Sequence, residues 1–431
     1  MKFSSLDLAP EIQQAIDLCG YSKMTPVQVQ AITPARRGKD ILASAQTGTG
    51  KTAAFALPIL QQMADKPLAT TPSSPRALIL TPTRELAEQL ANTIGTYAQF
   101  LPLSVDAIYG GVKLGGQANK LKTGVDILIA TPGRLLEHMT LCNVNLASVE
   151  FVVLDEADRM LDMGFIDDVQ NVLQHTAKKR QTLLFSATIS PAVNELAHKL
   201  LTRHTEIRAT KLNAAADTVE HIIYPVEERR KLDLFAELFE EYNWFQVLVF
   251  TSTKEQADRL MAKLRAGKVE AAVCHGDKSQ GSRRRALADF KSAKVQVLIA
   301  TEVAARGLDI QGLDYVINYN LPYLPEDYVH RIGRTGRAGN TGYAISFVSR
   351  EEEKTLDRIQ RIIGTPIKRV IREGFEVTNR DVLLKNISRN KPSGLGNKTS
   401  KTRIRRTKSN EGAPKAHKAK KTTSNRTKKA R

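Results

Sequence analysis

The stretch Ser44–Thr52, which reads Ser-Ala-Gln-Thr-Gly-Thr-Gly-Lys-Thr, constrains the fold more than any other part of this sequence. It follows a short apolar run and leads into the helix-like segment Ala53–Leu57. A strand, a glycine-rich turn and a helix in this order predict a phosphate-binding loop, because small residues let backbone N–H groups converge on phosphate oxygens. Lys51 can reach the terminal phosphates, and the hydroxyl of Thr52 can hold Mg²⁺. The general pattern has Gly where this chain has Ala45, so an ordinary glycine-rich turn is the alternative.

Apolar, strand-like runs alternate with helical stretches along most of the 431 residues, a pattern typical of parallel sheets covered by helices on both faces. A chain of this length is expected to form two or three domains with buried cores. In the first half the predicted strands are Ala77–Thr81, Val105–Tyr109, Asp126–Ala130, Phe151–Asp155 and Thr182–Ser186, and the predicted helices include Pro10–Cys19, Arg84–Gln99 and Asp167–Gln174. In the second half the predicted strands are Ile222–Val226, Val247–Phe250, Ala271–Cys274, Val297–Thr301, Tyr315–Asn318 and Ala344–Val348, with helices at Arg229–Tyr242, Lys254–Arg265 and Gln280–Phe290. The predicted fold class is therefore α/β.

The alternation lapses between Arg208 and Thr218, which we interpret as a linker. The expected organisation is a first domain at residues 1–209, the linker at 210–218, a second domain at 219–372, and an extension with a tail at 373–431. The second domain contains no glycine-rich loop that ends in Gly-Lys-Ser/Thr. It is therefore either an unrelated partner of the first domain or the part that completes the first domain's site from across a cleft.

Positive charge is concentrated at the end of the sequence. Residues 389–431 hold sixteen Lys or Arg and one acidic residue, Glu411, so they carry +15 of the net charge of +19. They contain no aromatic and almost no aliphatic residues, so they cannot bury enough surface to offset their chain entropy. We expect a disordered polycationic tail that binds a polyanion through counterion release. A tail that only confers solubility is the alternative.

Membrane-spanning, secreted and disulfide-stabilised classes are not expected. No stretch of about 18 consecutive apolar residues occurs, so we expect no membrane-spanning helix. The first residues lack the apolar core of a secretory signal, as a cytoplasmic protein would. Cys19, Cys142 and Cys274 are far apart, which favours buried thiols in a reducing cytosol over a metal site or a disulfide framework.

The apolar run Phe151–Leu154 ends in two carboxylates, Asp155 and Glu156. Ligands of parallel sheets bind at the carboxyl ends of the strands, so these acids are expected near the phosphate loop. Asp155 can hold Mg²⁺ opposite Thr52, and Glu156 can orient and deprotonate the attacking water. The alternative is a helix start with acids in its first turn.

The segment His330–Arg337 places three arginines and two glycines in eight residues. Phosphoryl transfer needs cations for the charge that develops on the γ-phosphate, and Arg334 and Arg337 can act as arginine fingers worth about 10³–10⁵ in rate. A solvated or phosphate-docking loop is the alternative for such a segment.

The segment Gly20–Gln28 ends in a side-chain amide with a donor beside an acceptor, which matches the N6/N7 edge of adenine. Phe3 or Tyr21 can stack on such a base. A surface or capping role for Gln28 is the alternative.

Taken in order along the chain, these segments resemble the motif set of the DEAD-box RNA helicases. The matching segments are Gly20–Gln28, Ala45–Thr52, Pro82–Ala87, Thr131–Arg134, Asp155–Asp158, Ser186–Thr188 and His330–Arg337, with Phe3 at the upstream aromatic position. The resemblance covers roughly residues 1–372 and accounts for Ala45, because the family itself has Ala there. Within the family, Arg159–Phe165 and His275–Gly281 resemble the bacterial RhlE-like branch.

The resemblance implies two RecA-like domains that close together on ATP and RNA. It implies nucleotide contacts from Phe3, Tyr21, Gln28, Ala45, Gln46, Thr47, Gly48, Thr49, Gly50, Lys51, Thr52 and Asp309, with Mg²⁺ held by Thr52 and Asp155, partly through water. It implies catalysis by Lys51, Asp155, Glu156, Arg334 and Arg337, and coupling of the ATP and RNA sides by Asp158, Ser186, Thr188 and His330. It implies RNA contacts from Arg84, Gly110, Gly111, Thr131, Arg134, Thr251, Arg283 and Thr301.

We therefore expect an ATP-dependent RNA helicase in which RNA-stimulated ATP hydrolysis drives local unwinding of short duplexes and remodelling of RNA–protein complexes. Recognition should depend on the sugar–phosphate backbone rather than on base sequence. An ATP-gated RNA clamp and a DNA translocase are the alternatives. Ribosomal precursors and RNA-decay proteins are open as partners, with ribosome biogenesis as one expected process, and we expect a monomeric core.

Overall fold

Two parallel sheets, one in each half of the chain, organise this protein. The structure is a computed structural model that describes residues 1–46, 48–67, 74–209, 219–305, 308, 310, 312–336 and 342–377. Residues Met1–Val377 form one compact unit. The predicted linker at 210–218 and the predicted polycationic tail lie outside the described residues.

Seven parallel strands form the first sheet among the described residues. They are β1 (Ile41–Ser44), β2 (Ala77–Leu80), β3 (Val105–Ile108), β4 (Ile127–Ala130), β5 (Phe151–Leu154), β6 (Gln181–Ser186) and β7 (Thr205–Arg208). The helices of this half are α1 (Pro10–Leu18), α2 (Pro26–Arg36), α3 (Lys51–Asp65), α4 (Arg84–Ala98), α5 (Leu114–Thr123), α6 (Pro132–Thr140), α7 (Ala157–Asp162), α8 (Ile166–Gln174) and α9 (Pro191–Leu200), after a 3-10 helix at Phe3–Ser5. The spatial order of the strands is β3-β4-β2-β5-β6-β1-β7, so β1, β5 and β6 end at one edge of the sheet.

The second sheet also has seven parallel strands among the described residues. They are β8 (Val219–Pro225), β9 (Val247–Thr251), β10 (Ala271–Cys274), β11 (Val297–Thr301), β12 (Tyr315–Asn318), β13 (Gly342–Val348) and β14 (Lys368–Arg369). The helices are α10 (Lys231–Tyr242), α11 (Lys254–Ala266), α12 (Gln280–Lys291), α13 (Glu302–Ala305), α14 (Pro325–Ile332) and α15 (Glu353–Ile363), with 3-10 helices at Glu228–Arg230 and Arg350–Glu352. The strand order is β10-β11-β9-β12-β13-β8-β14, which repeats the first sheet position by position. No helix in the described part of the chain is long and apolar enough to cross a membrane.

Both faces of each sheet are covered, and strand β4 shows how. Ile127 and Ile129 lie in one apolar cluster, and Leu128 and Ala130 lie in the cluster on the opposite face. Because alternate side chains of a strand point to opposite faces, a strand buried on both sides must be apolar throughout. Full burial of each Ile or Leu contributes about 1.5–3 kcal/mol.

The prediction of two tandem α/β domains is confirmed, and each predicted strand overlaps an observed one. The sequence reasoning missed the edge strands β7 and β14. Only Ile207 of β7 is buried and neither residue of β14 is. An edge strand with so little burial carries almost no apolar pattern, which is why periodicity did not find it.

Candidate functional site

The predicted phosphate loop lies between β1 and α3, in the strand–turn–helix context that the sequence indicated. Gly48 and Gly50 have positive φ angles of 78° and 87°. A Cβ on Gly50 would lie 2.3 Å from Nε2 of Gln28, so this position needs glycine for its backbone and for its space. The N–H of Ala45 instead donates to the carbonyl of Ser186, 2.9 Å away. This bond extends the pairing of β1 with β6, and Ala45 does not have a positive φ angle, so its backbone does not require glycine.

The rest of the loop leads directly into a helix. The hydroxyl of Thr49 donates to the carbonyl of Gln46 over 2.7 Å, which tightens the turn. Thr47 lies outside the described residues. Lys51 and Thr52 form the first turn of α3, where unpaired N–H groups and the helix dipole favour an anion.

Lys51 faces the carboxylates that follow β5. Its ammonium lies 3.6 Å from Oδ1 of Asp155 and is buried without a hydrogen-bond partner among the described residues. Burial disfavours this charge, but the carboxylates of Asp155, Glu156 and Asp158 outweigh burial and raise the pKa of Lys51. A buried ammonium with unused donors is suited to receive phosphate oxygens.

Asp155 and Glu156 are both buried at the end of β5. Oδ1 of Asp155 accepts a hydrogen bond from the N–H of Glu156 over 3.0 Å. Glu156 has a φ of 56° and is the N-cap residue of α7. This left-handed conformation costs a non-glycine residue about 1–3 kcal/mol and persists where surrounding structure fixes it, often at functional sites. Glu156 therefore occupies the start of a helix and the wall of the cleft at once.

The donor set around the loop fits Mg²⁺. The Thr52 hydroxyl and the Asp155 carboxylate line the same cavity. Mg²⁺ usually keeps several waters and binds through one or two carboxylates together with substrate phosphates. In the described part of the chain, no group of three or more His, Cys, Asp or Glu could hold a metal ion.

Gln28 holds α2 against the phosphate loop. Its Oε1 accepts from the N–H of Thr25 over 2.8 Å, which closes a capping box at the start of α2. Its Nε2 donates to the carbonyl of Gly50 over 3.1 Å. Phe3 and Tyr21 stack with ring centroids 6.0 Å apart and line the same cavity. Gln28 therefore has the capping role and also lines the cavity that contains Phe3 and Tyr21, either of which is predicted to stack on a base.

A cavity of about 470 Å³ is lined by both halves of the chain. The first half contributes Phe3, Tyr21, Gln28, Lys51, Thr52, Asp155 and Glu156 among others, and the second contributes Leu308 and Arg334. Arg334 is buried, and its Nη1 donates to the carbonyl of Leu308 over 2.7 Å. Arg337 and Asp309 lie outside the described residues. A cavity of this size holds a small-molecule ligand, and its lining shows that the second domain completes the cleft of the first.

Asp158 connects the end of β6 to α7. Its Oδ2 accepts from the N–H groups of Ala187 and Thr188, each 3.1 Å away, and from the Thr188 hydroxyl over 3.2 Å. The hydroxyl of Ser186 donates to the carbonyl of Thr188 over 2.6 Å. Three of the four predicted coupling residues therefore form one hydrogen-bonded cluster.

The fourth, His330 of α14, faces that cluster from the second domain. Burial, together with the charge of Arg159, lowers the pKa of His330 to about 4, although the carboxylates of Asp158 and Glu156 oppose the shift. Arg159 also forms a buried ion pair with Asp327 of α14. The second domain is thus held against α7 next to the acids.

Arg84, Gly110 and Gly111, predicted to contact RNA, come together in the first domain. Gly111 has a φ of 78°, and a Cβ there would lie 1.8 Å from Nη1 of Arg84. The absence of a side chain therefore lets the guanidinium approach the turn closely.

Thr131 and Arg134 lie at the start of α6, where Thr131 is the N-cap residue. Nη1 of Arg134 donates to the carbonyl of Val112 and to Oε1 of Gln117, each 3.0 Å away. Its Nε lies 2.9 Å from Oε2 of Glu137. Arg134 therefore joins the start of α6 to the residue that follows the glycine pair.

In the second domain, Arg283 and Thr301 line a separate cavity of about 450 Å³. The hydroxyl of Thr251 donates to the carbonyl of Thr253 over 3.2 Å, and Thr253 lines this cavity too. Nη2 of Arg283 lies 2.9 Å from Oε1 of Glu85 in the first domain. The predicted RNA residues of the second domain are thus grouped beside the first domain.

Sequence reasoning missed other contacts between the domains. Arg284 of α12 binds both carboxylate oxygens of Glu88 on α4 and donates to the hydroxyl of Tyr109 over 2.5 Å. Nε2 of Gln280 donates to Oε1 of Glu85 over 3.1 Å. The Arg284–Glu88 partners are 196 residues apart, so no local pattern predicts them. The sequence feature that could have indicated them is charge complementarity. Two acids lie one turn apart on α4, and polar and basic side chains lie on α12.

Two family models match the chain. A DEAD/DEAH box helicase model matches residues 25–196, and a helicase conserved C-terminal domain model matches residues 230–339. The chain is 42% identical over 371 residues to the ATP-dependent RNA helicase RhlB of Pseudomonas syringae, covering 85% of this chain and 94% of that protein. It is 40% identical over 377 residues to the ATP-dependent RNA helicase SrmB of Haemophilus influenzae, covering 87% of this chain and 86% of that one.

The fold is similar to that of a solved RNA complex. The structure of S. cerevisiae Dbp5 bound to RNA and ADP BeF3 matches with a TM-score of 0.77 and 31% sequence identity. The match covers 90% of this chain and 99% of the Dbp5 chain.

Proposed function

We propose that this protein, which belongs to the DEAD-box family of ATP-dependent RNA helicases, closes its two RecA-like domains on ATP and RNA together. It is an ATP-hydrolysing RNA helicase. The observation that carries the proposal is the cavity of about 470 Å³ whose lining comes from both domains. The phosphate loop and its acids in the first domain form only part of a site for phosphoryl transfer, and the cation that completes the site, Arg334, comes from the second domain.

In the proposed ATP site, the first domain binds the nucleotide and the second completes the charge balance. Phe3 or Tyr21 stacks on the base and Gln28 contacts its edge, while the loop around Lys51 receives the phosphates. The proposed nucleotide contacts are Phe3, Tyr21, Gln28, Ala45, Gln46, Thr47, Gly48, Thr49, Gly50, Lys51, Thr52 and Asp309, with Arg334 and Arg337 on the γ-phosphate.

Thr52 and Asp155 are the residues that would hold Mg²⁺, which neutralises phosphate charge when it is bound. Glu156 accepts a proton from the attacking water, and its fixed turn keeps the carboxylate in the cleft. Asp158 and His330 link this chemistry to the ends of β6 and α14, together with Ser186 and Thr188.

The proposed RNA face is formed by residues of both domains, and one of them, Arg283, pairs with Glu85 of the first domain. Its contacts are Arg84, Gly110, Gly111, Thr131, Arg134, Thr251, Arg283 and Thr301. Backbone N–H groups, hydroxyls and guanidinium groups bind sugar and phosphate rather than base edges. A groove formed only on closure holds one strand in a bent path, so closure separates a short duplex locally, and the affinities of ATP and RNA increase together.

Several finer assignments belong to the proposal. We place the chain in the RhlE-like branch on the segments Arg159–Phe165 and His275–Gly281, while the relatives named above are called RhlB and SrmB. We propose a cytoplasmic protein with a monomeric core, domain limits at 1–209 and 219–372, and a role on RNA–protein complexes such as ribosomal precursors.

A strand-release assay tests the function. The full chain is mixed with a short pre-annealed RNA duplex, and released strand is measured with ATP, without nucleotide and with a non-hydrolysable analogue. Release only with ATP supports the helicase. RNA-stimulated hydrolysis without release would favour an ATP-gated clamp, and equal stimulation by single-stranded DNA would favour a DNA translocase.

A further inference from the structure

Gln117 of α5 lies buried between the two segments of the first domain that form the proposed RNA face. One segment is the turn at Gly110 and Gly111, and the other is the start of α6 at Thr131 and Arg134. Gln117 is outside the motif set, and it lines neither the nucleotide cavity nor the cavity beside Arg283. Its hydrogen bonds nevertheless connect these two segments.

The amide of Gln117 has two arms. Its Nε2 donates to the carbonyl of Tyr109 over 3.0 Å, immediately before the glycine turn. Its Oε1 accepts from Nη1 of Arg134 over 3.0 Å. Arg134 also donates to the carbonyl of Val112, immediately after the glycine turn. The glycine turn is therefore held on both sides by one amide and one guanidinium that bind each other.

His138 fixes which way the amide points. Its Nε2 lies 3.2 Å from Oε1 of Gln117, and its Nδ1 lies 3.2 Å from the side-chain nitrogen of Asn143. Since the amide nitrogen of Asn143 can only donate, Nδ1 accepts and Nε2 carries the proton that Oε1 of Gln117 receives. Burial, and then the charge of Arg134, lowers the pKa of His138, which favours the neutral ring. A flipped Gln117 would place its NH₂ group against two donors.

The bland explanation is that Gln117 simply fills the core under α5. An apolar side chain of similar size would fill that space without needing any partner. A buried amide is costly unless it is hydrogen-bonded, and here it bonds to the carbonyl of Tyr109 and to two side chains of α6, Arg134 and His138. It also gives Nη1 of Arg134 a second acceptor besides the carbonyl of Val112, so it orients a side chain of the proposed RNA face as well as filling the core.

We propose that Gln117 is a positioning residue that fixes the spacing between the glycine turn and the start of α6, and thereby sets the affinity for RNA. The proposal rests on the proposed RNA face. It predicts an effect on the RNA requirement and not on ATP binding, because none of its partners lines the nucleotide cavity.

The test compares four variants by RNA-stimulated ATPase at saturating ATP. Gln117→Leu removes both arms, and we expect the RNA concentration for half-maximal stimulation to rise about tenfold, as for loss of one charge-assisted contact. The kcat at saturating RNA and the ATP affinity without RNA should stay as in the parent chain. Gln117→Glu keeps the acceptor for Arg134 but removes the donor to Tyr109. Its RNA requirement should therefore lie between that of the parent chain and that of Gln117→Leu.

Two further variants serve as controls. Gln181 is also a buried amide with three hydrogen bonds, to Ala35, Lys39 and Gln62. It lies at the amino end of β6 and belongs neither to the nucleotide cavity nor to the proposed RNA face. Gln181→Leu should leave the RNA requirement unchanged. Arg84→Ala removes a proposed direct contact and should raise the RNA requirement.

The outcomes separate the two levels of inference. An unchanged RNA requirement in Gln117→Leu, with a normal effect of Arg84→Ala, would overturn the role of Gln117 and leave the RNA face intact. No effect of either variant would overturn the RNA face itself. If Gln117→Leu loses ATP affinity as well, it has lost its fold, and Gln117→Glu decides: a parent-like RNA requirement contradicts the proposal, and a raised one supports it.

Discussion

The pair Arg284–Glu88 gives a direct measure of how much the second domain contributes to closure. Arg284 binds both oxygens of Glu88, and it also contacts the hydroxyl of Tyr109. Neither residue of the pair lines the nucleotide cavity. Exchanging their charges therefore perturbs the approach of the two domains without changing groups proposed to touch ATP.

The expected magnitude follows from exposure and geometry. The side chain of Arg284 is 52% exposed and that of Glu88 is 23% exposed, so solvent screening keeps the pair within the range of about 0.2–1 kcal/mol for surface ion pairs. Its bidentate geometry places it at the upper end of that range, about 1 kcal/mol, or about fivefold in the closing equilibrium. Arg284→Glu adds like-charge repulsion, and we expect about twice that free energy, or about thirtyfold.

The assay is the RNA concentration for half-maximal ATPase stimulation, measured for Arg284→Glu, Glu88→Arg and the charge-exchanged double variant. Each single variant should need more RNA, and the double variant should recover most of the loss. The differences should shrink in about 1 M salt, where the Debye length is about 3 Å. Arg285→Glu, at an exposed neighbouring position on α12, is the matched control for charge alone.

The pairing would be refuted if the double variant needed as much RNA for half-maximal stimulation as the worse of the two single variants. An effect of Arg285→Glu as large as that of Arg284→Glu would point instead to a general loss of positive charge near RNA. Either result would mean that the two side chains do not act as a pair across the domain interface.

Three other predictions follow from the site. Glu156→Gln should keep ATP and RNA binding but abolish turnover, as measured by nucleotide binding and phosphate release; undiminished hydrolysis would remove Glu156 from its proposed role. The pKa of His330 is lowered to about 4 from its usual 6.5, because the folded protein favours the neutral ring. The contribution of this ring to the free energy of unfolding is therefore present above about pH 6.5 and is lost as the pH falls toward 4. Thermal unfolding between these pH values should show a smaller decrease in melting temperature for His330→Gln than for the parent chain, while equal decreases would exclude His330 as the cause. Deleting residues 389–431, with their sixteen Lys or Arg, should weaken RNA binding and flatten its salt dependence while basal ATPase persists; an unchanged salt slope would show that the tail does not bind phosphates.

The parts predictable from the sequence are those encoded locally. The phosphate loop is recognisable because its glycines, Lys51 and Thr52 are adjacent in the chain, and the structure places them between β1 and α3. The apolar runs are equally legible, because strands buried on two faces must be apolar throughout. Asp155 and Glu156 could be placed near the loop since parallel strands end at one edge of the sheet.

What the sequence could not supply is the pairing of distant side chains. The ion pair of Arg159 with Asp327 and the buried amide of Gln117 depend on how separate elements pack, and no spacing in the chain encodes that. Gln28 shows a milder form of the same limit. Its capping box is local and could be predicted from Thr25, but its bond to Gly50 depends on the approach of α2 to the loop.

The two sheets have the same strand order, yet only the first carries a phosphate loop, and the chain joins the two without a break. Covalent joining makes assembly of the shared cleft an intramolecular event, so it does not depend on the encounter of two separate molecules. Turnover per molecule should then be independent of protein concentration. A single molecule on a long RNA would then hydrolyse ATP as fast as one among many bound molecules. Its turnover would depend on the fraction of time that its two domains are closed.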